Sequence, residues 1–248
     1  WQAIFLILAI MGALILCAVI FWLPESYESD PTFSLKPKPI INNFLSVIRE
    51  PQFYTYVFTG AIAFSGLFAY VSGSPLVFMD IFQVSEKTYG WIFAFLSVGF
   101  IGSSQVNSLL LRKYKSEQIV LIALICQALT GIVFLLGMIN GLLGLGGTIA
   151  LLFVFLCCLG FANPNAAALS LAPFSKQAGS ASSLMGALQM GLGALASVGV
   201  SLFNAKSAVP MVAIMAGSAT LALVVLITGR RTITAPVTAS EKSAGVIH

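Results

Sequence analysis

Charge is what this sequence has least of. Of its 248 residues only 8% are Asp, Glu, Lys or Arg, while 58% are hydrophobic. Ordinary soluble domains carry about 25% charged residues, so a soluble globular domain is excluded. Short segments of alternating polarity, the mark of a membrane β-barrel, are also missing; the apolar runs are long and continuous. Histidine occurs once, at His248, so neither Ser-His catalysis nor a His-rich metal site can be built. No paired Asp sits within an apolar run and no glycine-rich phosphate loop follows a strand. An enzyme, a metal centre and a cofactor site are therefore not expected. The four cysteines, Cys17, Cys126, Cys157 and Cys158, lie in apolar runs without metal-ligand spacing and read as buried, inert thiols.

What is present is a set of seven apolar stretches, each near the 20 residues that cross a bilayer: roughly 2–23, 53–78, 90–111, 118–139, 147–168, 180–203 and 208–228. The expected class is an all-α membrane protein of seven transmembrane helices. Trp22 suits an interface and Pro24 a stop. Residues 24–50 form the longest polar segment, in which 40–50 has the pattern of a short surface helix through Ile40, Ile41, Phe44, Leu45 and Ile48; a plain linker is the alternative. Gly141, Gly144, Gly146 and Gly147 mark a hairpin turn. The tail from Thr232 reads as disordered.

Basic residues set the orientation. If 24–50 is cytoplasmic, so are 112–117, 169–179 and the tail, and that side holds ten of the twelve Lys and Arg residues, leaving Lys87 and Lys206 opposite. The positive-inside rule then places the N-terminus outside and the C-terminus inside. The positive net charge is a topology signal, not a nucleic-acid footprint.

No carboxylate falls in the middle of a span. The nearest, Asp80, sits at the end of the second span. Intramembrane carboxylates are the usual proton relays, so none is expected here. Uncharged polar residues do occur inside spans: Ser65, Ser72, Gln105, Asn107, Gln127, Asn163, Asn165 and Gln189. Each amide must face protein or water, either as an interhelical bond or as a handle in a solute pathway. Asn163-Pro164 marks a helix break, because proline frees a carbonyl that lipid cannot satisfy. Aromatic residues of the second and third spans, Phe53, Phe58, Phe64, Phe68, Tyr70, Trp91, Phe93 and Phe95, supply an apolar wall or simple packing. In the sixth span Gly179, Ser183, Ala187 and Gly191 recur every four positions, with Gly193, Ser197 and Ser201 on another stripe. That spacing favours close helix approach.

The stretches Asn163-Pro164-Asn165-Ala166, Ala172-Pro173-Phe174, Ala178-Gly179-Ser180-Ala181-Ser182 and Gly186-Ala187-Leu188-Gln189 resemble the C-terminal half of the bicyclomycin-resistance (Bcr/CflA) drug transporters. Leu23-Pro24-Glu25-Ser26, Tyr70-Val71-Ser72-Gly73-Ser74-Pro75 and Tyr89-Gly90-Trp91-Ile92-Phe93-Ala94 agree with them. The resemblance covers nearly all of 1–230 and implies a major facilitator fold of twelve helices in two halves, exporting drug-like small molecules in exchange for protons across a bacterial inner membrane.

On that likeness 1–23 corresponds to helix six, 24–50 to the central cytoplasmic loop and 51–230 to the C-terminal six-helix bundle, with 231–248 as a tail. The first Met is Met11, and one span precedes the long polar segment while six follow it. The expectation is a fragment whose missing N-terminal half carries the proton-coupling carboxylates and is required for transport. The resemblance places spans 53–78, 90–111, 147–168 and 180–203 around the substrate cavity. The expected substrate handles are Asn163, Asn165 and Gln189 with Phe64 and Phe68. Arg112, Lys113, Lys115 and Pro164 are expected to serve gating and topology.

Competing classes are a non-transporting remnant, a transporter of another small metabolite, a seven-helix receptor or retinal protein, and an intramembrane enzyme. A retinal protein needs a Schiff-base lysine in its last helix, and 208–228 has none.

Overall fold

The computed structural model describes residues 2–23, 37–174, 177–203 and 207–233. Among them there are eight α-helices and no strand: α1 (Gln2–Trp22), α2 (Pro37–Arg49), α3 (Pro51–Pro75), α4 (Glu86–Leu110), α5 (Ser116–Ile139), α6 (Leu145–Leu171), α7 (Ala178–Leu202) and α8 (Val209–Gly229). Seven are long and apolar enough to cross a membrane, and they match the expected spans to within a few residues at each end. The expected loop at 24–36, Lys176, most of 204–207 and the tail beyond Ile233 lie outside the described residues.

The chain divides into two units, 1–40 and 41–248. The first contains α1, whose 21 residues are apolar on every side and span about 30 Å at 1.5 Å per residue. The second is the helical bundle. Its end near Pro51 includes the rest of α2. The surface helix expected at 40–50 is present, but its buried residue is Val47, in a core with Phe53, Val57 and Ala181. Ile41 and Leu45, expected on the same face, point outward.

Local chemistry sets the helix ends. Pro51 opens α3, where a missing N–H costs nothing. At the other end Pro75 deletes a donor, and the chain widens into a π-helical turn, Leu76–Ile81. The Ser85 hydroxyl accepts from the Thr88 N–H at 3.3 Å and caps α4. The Gln118 carboxamide accepts from the Lys115 N–H at 3.3 Å at the start of α5. Gly141, at φ +65°, supplies the left-handed turn between α5 and α6. Gly146 and Gly147, expected in that turn, belong to the first turn of α6.

Within the bundle α4 packs on α6, α6 on α3, and α3 on α7, while α5 and α8 pack behind this row, α5 against α6 and α8 against α3. Two cores fill the space between. One, toward Pro75, holds Phe78, Leu96, Phe134, Phe155 and Met215. The other holds Tyr56, Val120, Leu124, Leu159 and Leu226. The row is tight where glycine permits it: a Cβ on Gly160 of α6 would collide with the Phe100 carbonyl and Ser103 hydroxyl of α4. At the Pro51 end the Arg230 guanidinium donates to the Glu117 carbonyl, tying the end of α8 to the start of α5.

One expectation fails here. Pro164 does not end a helix; α6 runs unbroken from Leu145 to Leu171. The lost bond is one of many in a 27-residue helix that contacts α3, α4, α5 and α7, and neighbouring helices hold proline-containing membrane helices together.

Candidate functional site

The row α4–α6–α3–α7 presents one continuous face, and the uncharged polar residues sort themselves relative to it. Asn163 on α6 and Gln189 on α7 are both half-buried, and the Gln189 Nε2 donates to the Asn163 Oδ1 at 3.2 Å. In α3, Phe64 and Phe68 meet edge to face, 5.7 Å between centroids. Phe68 lies against the bare Cα of Gly193, where a Cβ would come within 2.5 Å of the ring. The Ser197 hydroxyl donates to the Phe68 carbonyl at 3.4 Å. The structure thus brings four of the five sequence-derived contact residues to the α6–α3–α7 part of the row.

The fifth faces elsewhere. Asn165 is 1% exposed. Its Nδ2 donates to Asn107 Oδ1 of α4 at 2.7 Å and to the Phe161 carbonyl at 2.8 Å. Its Oδ1 is buried without a hydrogen-bond partner. Asn107 therefore enters the site's support, although the sequence marked it only as a polar residue in a span.

The wall of aromatics shrinks to Phe64 and Phe68. Phe53 is fully buried and packs edge to face on Phe174 at 5.5 Å. Tyr70 is buried and stacked on Phe93 at 5.9 Å, and Tyr89 bonds Ser74 at 2.9 Å. These contacts close the Pro75 end of the row between α3 and α4. Trp91 and Phe95 point outward. Of the two small-residue stripes, only Gly193 and Ser197 pack on α3. Gly179 and Gly191 have open space where a Cβ would go, and Ser183 and Ala187 are exposed.

Charge is confined to the ends. The described carboxylates, Glu50, Asp80, Glu86 and Glu117, all lie at helix termini. Arg112, Lys113 and Lys115 are exposed on the turn between α4 and α5. Of the cysteines only Cys158 is buried; Cys17 and Cys126 are exposed, because both sit on the outer surface of their helices and not in a core. Among the described residues no cluster of three metal-ligating side chains occurs.

A family model for the Major Facilitator Superfamily matches residues 1–200. The chain is 30% identical over 218 residues to a bicyclomycin resistance protein homolog of Haemophilus influenzae, covering 85% of this chain and 53% of that one. It is 28% identical over 216 residues to the MFS-type transporter YdgK of Bacillus subtilis, covering 87% and 53%. To the multidrug resistance protein MdtL of a Shewanella species it is 26% identical over 229 residues, covering 92% and 56%. The chain thus spans about half the length of the curated relatives it matches.

Proposed function

The chain is a multi-pass membrane protein of the major facilitator superfamily, and from that premise we propose that residues 51–230 are the C-terminal bundle of a proton-coupled exporter of drug-like molecules. In this reading α1 is the last helix of the preceding half, the N-terminus faces the periplasm and the C-terminus the cytoplasm. The observation that carries the proposal is the Asn163–Gln189 pair, one turn of α7 from Gly193, against which Phe68 packs, with Phe64 edge-to-face on Phe68. Two relatives named for drug resistance support it.

The chemistry suits such a substrate. Sites for organic molecules are mostly apolar with a few placed polar groups. The rings give a contact surface with no directional demand. The Gln189 and Asn163 carboxamides each keep unused hydrogen-bonding capacity beyond their mutual bond, so they can bind donors or acceptors without a net charge. Asn165 is buried against Asn107 of α4 and acts in this reading by holding α4 and α6 together. Pro164 leaves the Gly160 carbonyl without an intrahelical donor, which eases bending of α6 at that level. The cations of the α4–α5 turn serve the cytoplasmic gate. Proton coupling falls to groups outside these spans, since the described carboxylates are all terminal.

Alanine substitutions test the site in a transporter comprising both bundles. Gln189→Ala and Asn163→Ala should each change the relative resistance to a panel of drugs several-fold, at near-normal protein levels. An unchanged profile for both variants would remove the pair from the site.

A further inference from the structure

Between α5, α6 and the end of α4, on the side away from the α4–α6–α3–α7 face, lies a crevice of about 330 Å³, within the size range of ligand sites. Its length is lined by Ile119, Ile122 and Cys126 of α5 and Phe161 of α6, and its mouth by Tyr114 and Gln118. From Gln118 to Cys126 it follows α5 for about 12 Å. Ile122, Cys126 and Tyr114 are exposed, so the crevice opens laterally toward the bilayer as well as at its mouth. The lining carries no charge, but the turn beside the mouth is basic. Arg112 and Lys113 lie in the turn that joins the lining residues Leu110 and Tyr114, and Lys115 follows directly. The side chain of Gln118, itself at the mouth, holds the Lys115 backbone N–H. Arg230 is anchored one turn away on the Glu117 carbonyl. The one carboxylate in this stretch is Glu117.

An apolar slot running into the membrane next to a turn with three exposed cations matches one kind of molecule: an acyl chain carrying a negatively charged head. We propose that this crevice binds an anionic phospholipid, with one acyl chain along Ile119, Ile122, Cys126 and Phe161 and its phosphate against Arg112, Lys113 and Lys115. Charge complementarity decides between lipids. A zwitterionic lipid fills the slot equally well but gains little from the loop, whereas each cation near a membrane surface favours an anionic one about fivefold. The assignment makes the basic turn a binding element and not only a topology signal, and it is independent of what the bundle transports.

Native mass spectrometry of residues 1–248, released from detergent in the presence of equal phosphatidylglycerol and phosphatidylcholine, tests this. Phosphatidylglycerol should be retained at least about fivefold over phosphatidylcholine. Replacing Arg112, Lys113 and Lys115 by Gln should bring the ratio close to one. Cys126→Phe, at an exposed position inside the slot, should reduce retention of both lipids with little change in melting temperature. Arg49→Gln with Lys87→Gln, which removes charge on α2 and at the far end of α4, should leave the ratio intact. Equal retention of the two lipids would overturn the proposal, as would a ratio that the loop variant does not move or that the control moves equally. A lipid-free dimer would assign the slot to a second copy and overturn it too.

Discussion

Asn163 and Asn165 are two residues apart, yet one faces α7 and the other α4. The cause is helical geometry: two residues turn the chain by about 200°, so a helix that continues through Pro164 must aim them to opposite sides. The sequence reading placed both in one site because each is a polar amide inside the same span, which says nothing of its direction. The difference has energetic consequences. Asn165→Ala strands the buried Asn107 side chain and removes an α4–α6 bond, at a cost of about 1 kcal/mol. Asn163→Ala leaves only the half-buried Gln189 unpaired, at a smaller cost. Thermal unfolding in detergent should therefore rank Asn165→Ala clearly below Asn163→Ala; equal melting temperatures would show that burial of the Asn107–Asn165 pair carries no net stability.

At the level of elements, glycines decide which helices approach. Gly160 lets α4 and α6 touch backbone to backbone, and an added methyl would have to displace the Phe100 carbonyl. Gly160→Ala should destabilise by about 1–3 kcal/mol and loosen the row at the level of Pro164. Gly186→Ala on α7, where a Cβ meets nothing within 4 Å, should be neutral or slightly stabilising, since alanine is the better helix former. A melting curve for each variant checks this, and similar losses for both would mean that small residues matter here through the backbone and not through packing. The same logic separates the two stripes of α7. Gly191 and Gly193, two residues apart, lie on opposite faces, and only the second meets α3.

The orientation of the whole molecule rests on its lysines and arginines. Single cysteines introduced into a cysteine-free background should be labelled from outside at 80–88 and from inside at 112–117; the reverse pattern would invert the assignment. The reading as a half-transporter makes a further demand. Alternating access needs two bundles rocking about a shared site, and here six spans of one bundle stand with a single α1. Residues 1–248, expressed in a drug-sensitive bacterium, should confer no resistance, whereas a chain carrying five further spans ahead of them should. Proton-dependent drug efflux by purified 1–248 in liposomes would show that coupling resides within these helices.

The sequence by itself determined the class, the seven spans and the family likeness. Those depend on length and composition along the chain, since lipid satisfies no backbone group and a crossing takes about 20 apolar residues. The π-helical turn after Pro75 and the Ser85 cap of α4 emerged only in the structure, although both rest on local chemistry. What only the tertiary structure decided is which side of each helix meets protein. In a soluble bundle an apolar stripe marks that side. Here lipid and core are equally apolar, so α5, α6 and α8 carry no such stripe, and the inward face is chosen by shape, through Gly160 against Phe100, Gly193 against Phe68 and Asn165 against Asn107. For the same reason the crevice beside the basic turn was invisible in the sequence. Its wall is assembled from three helices, none of which shows a periodicity that points to it.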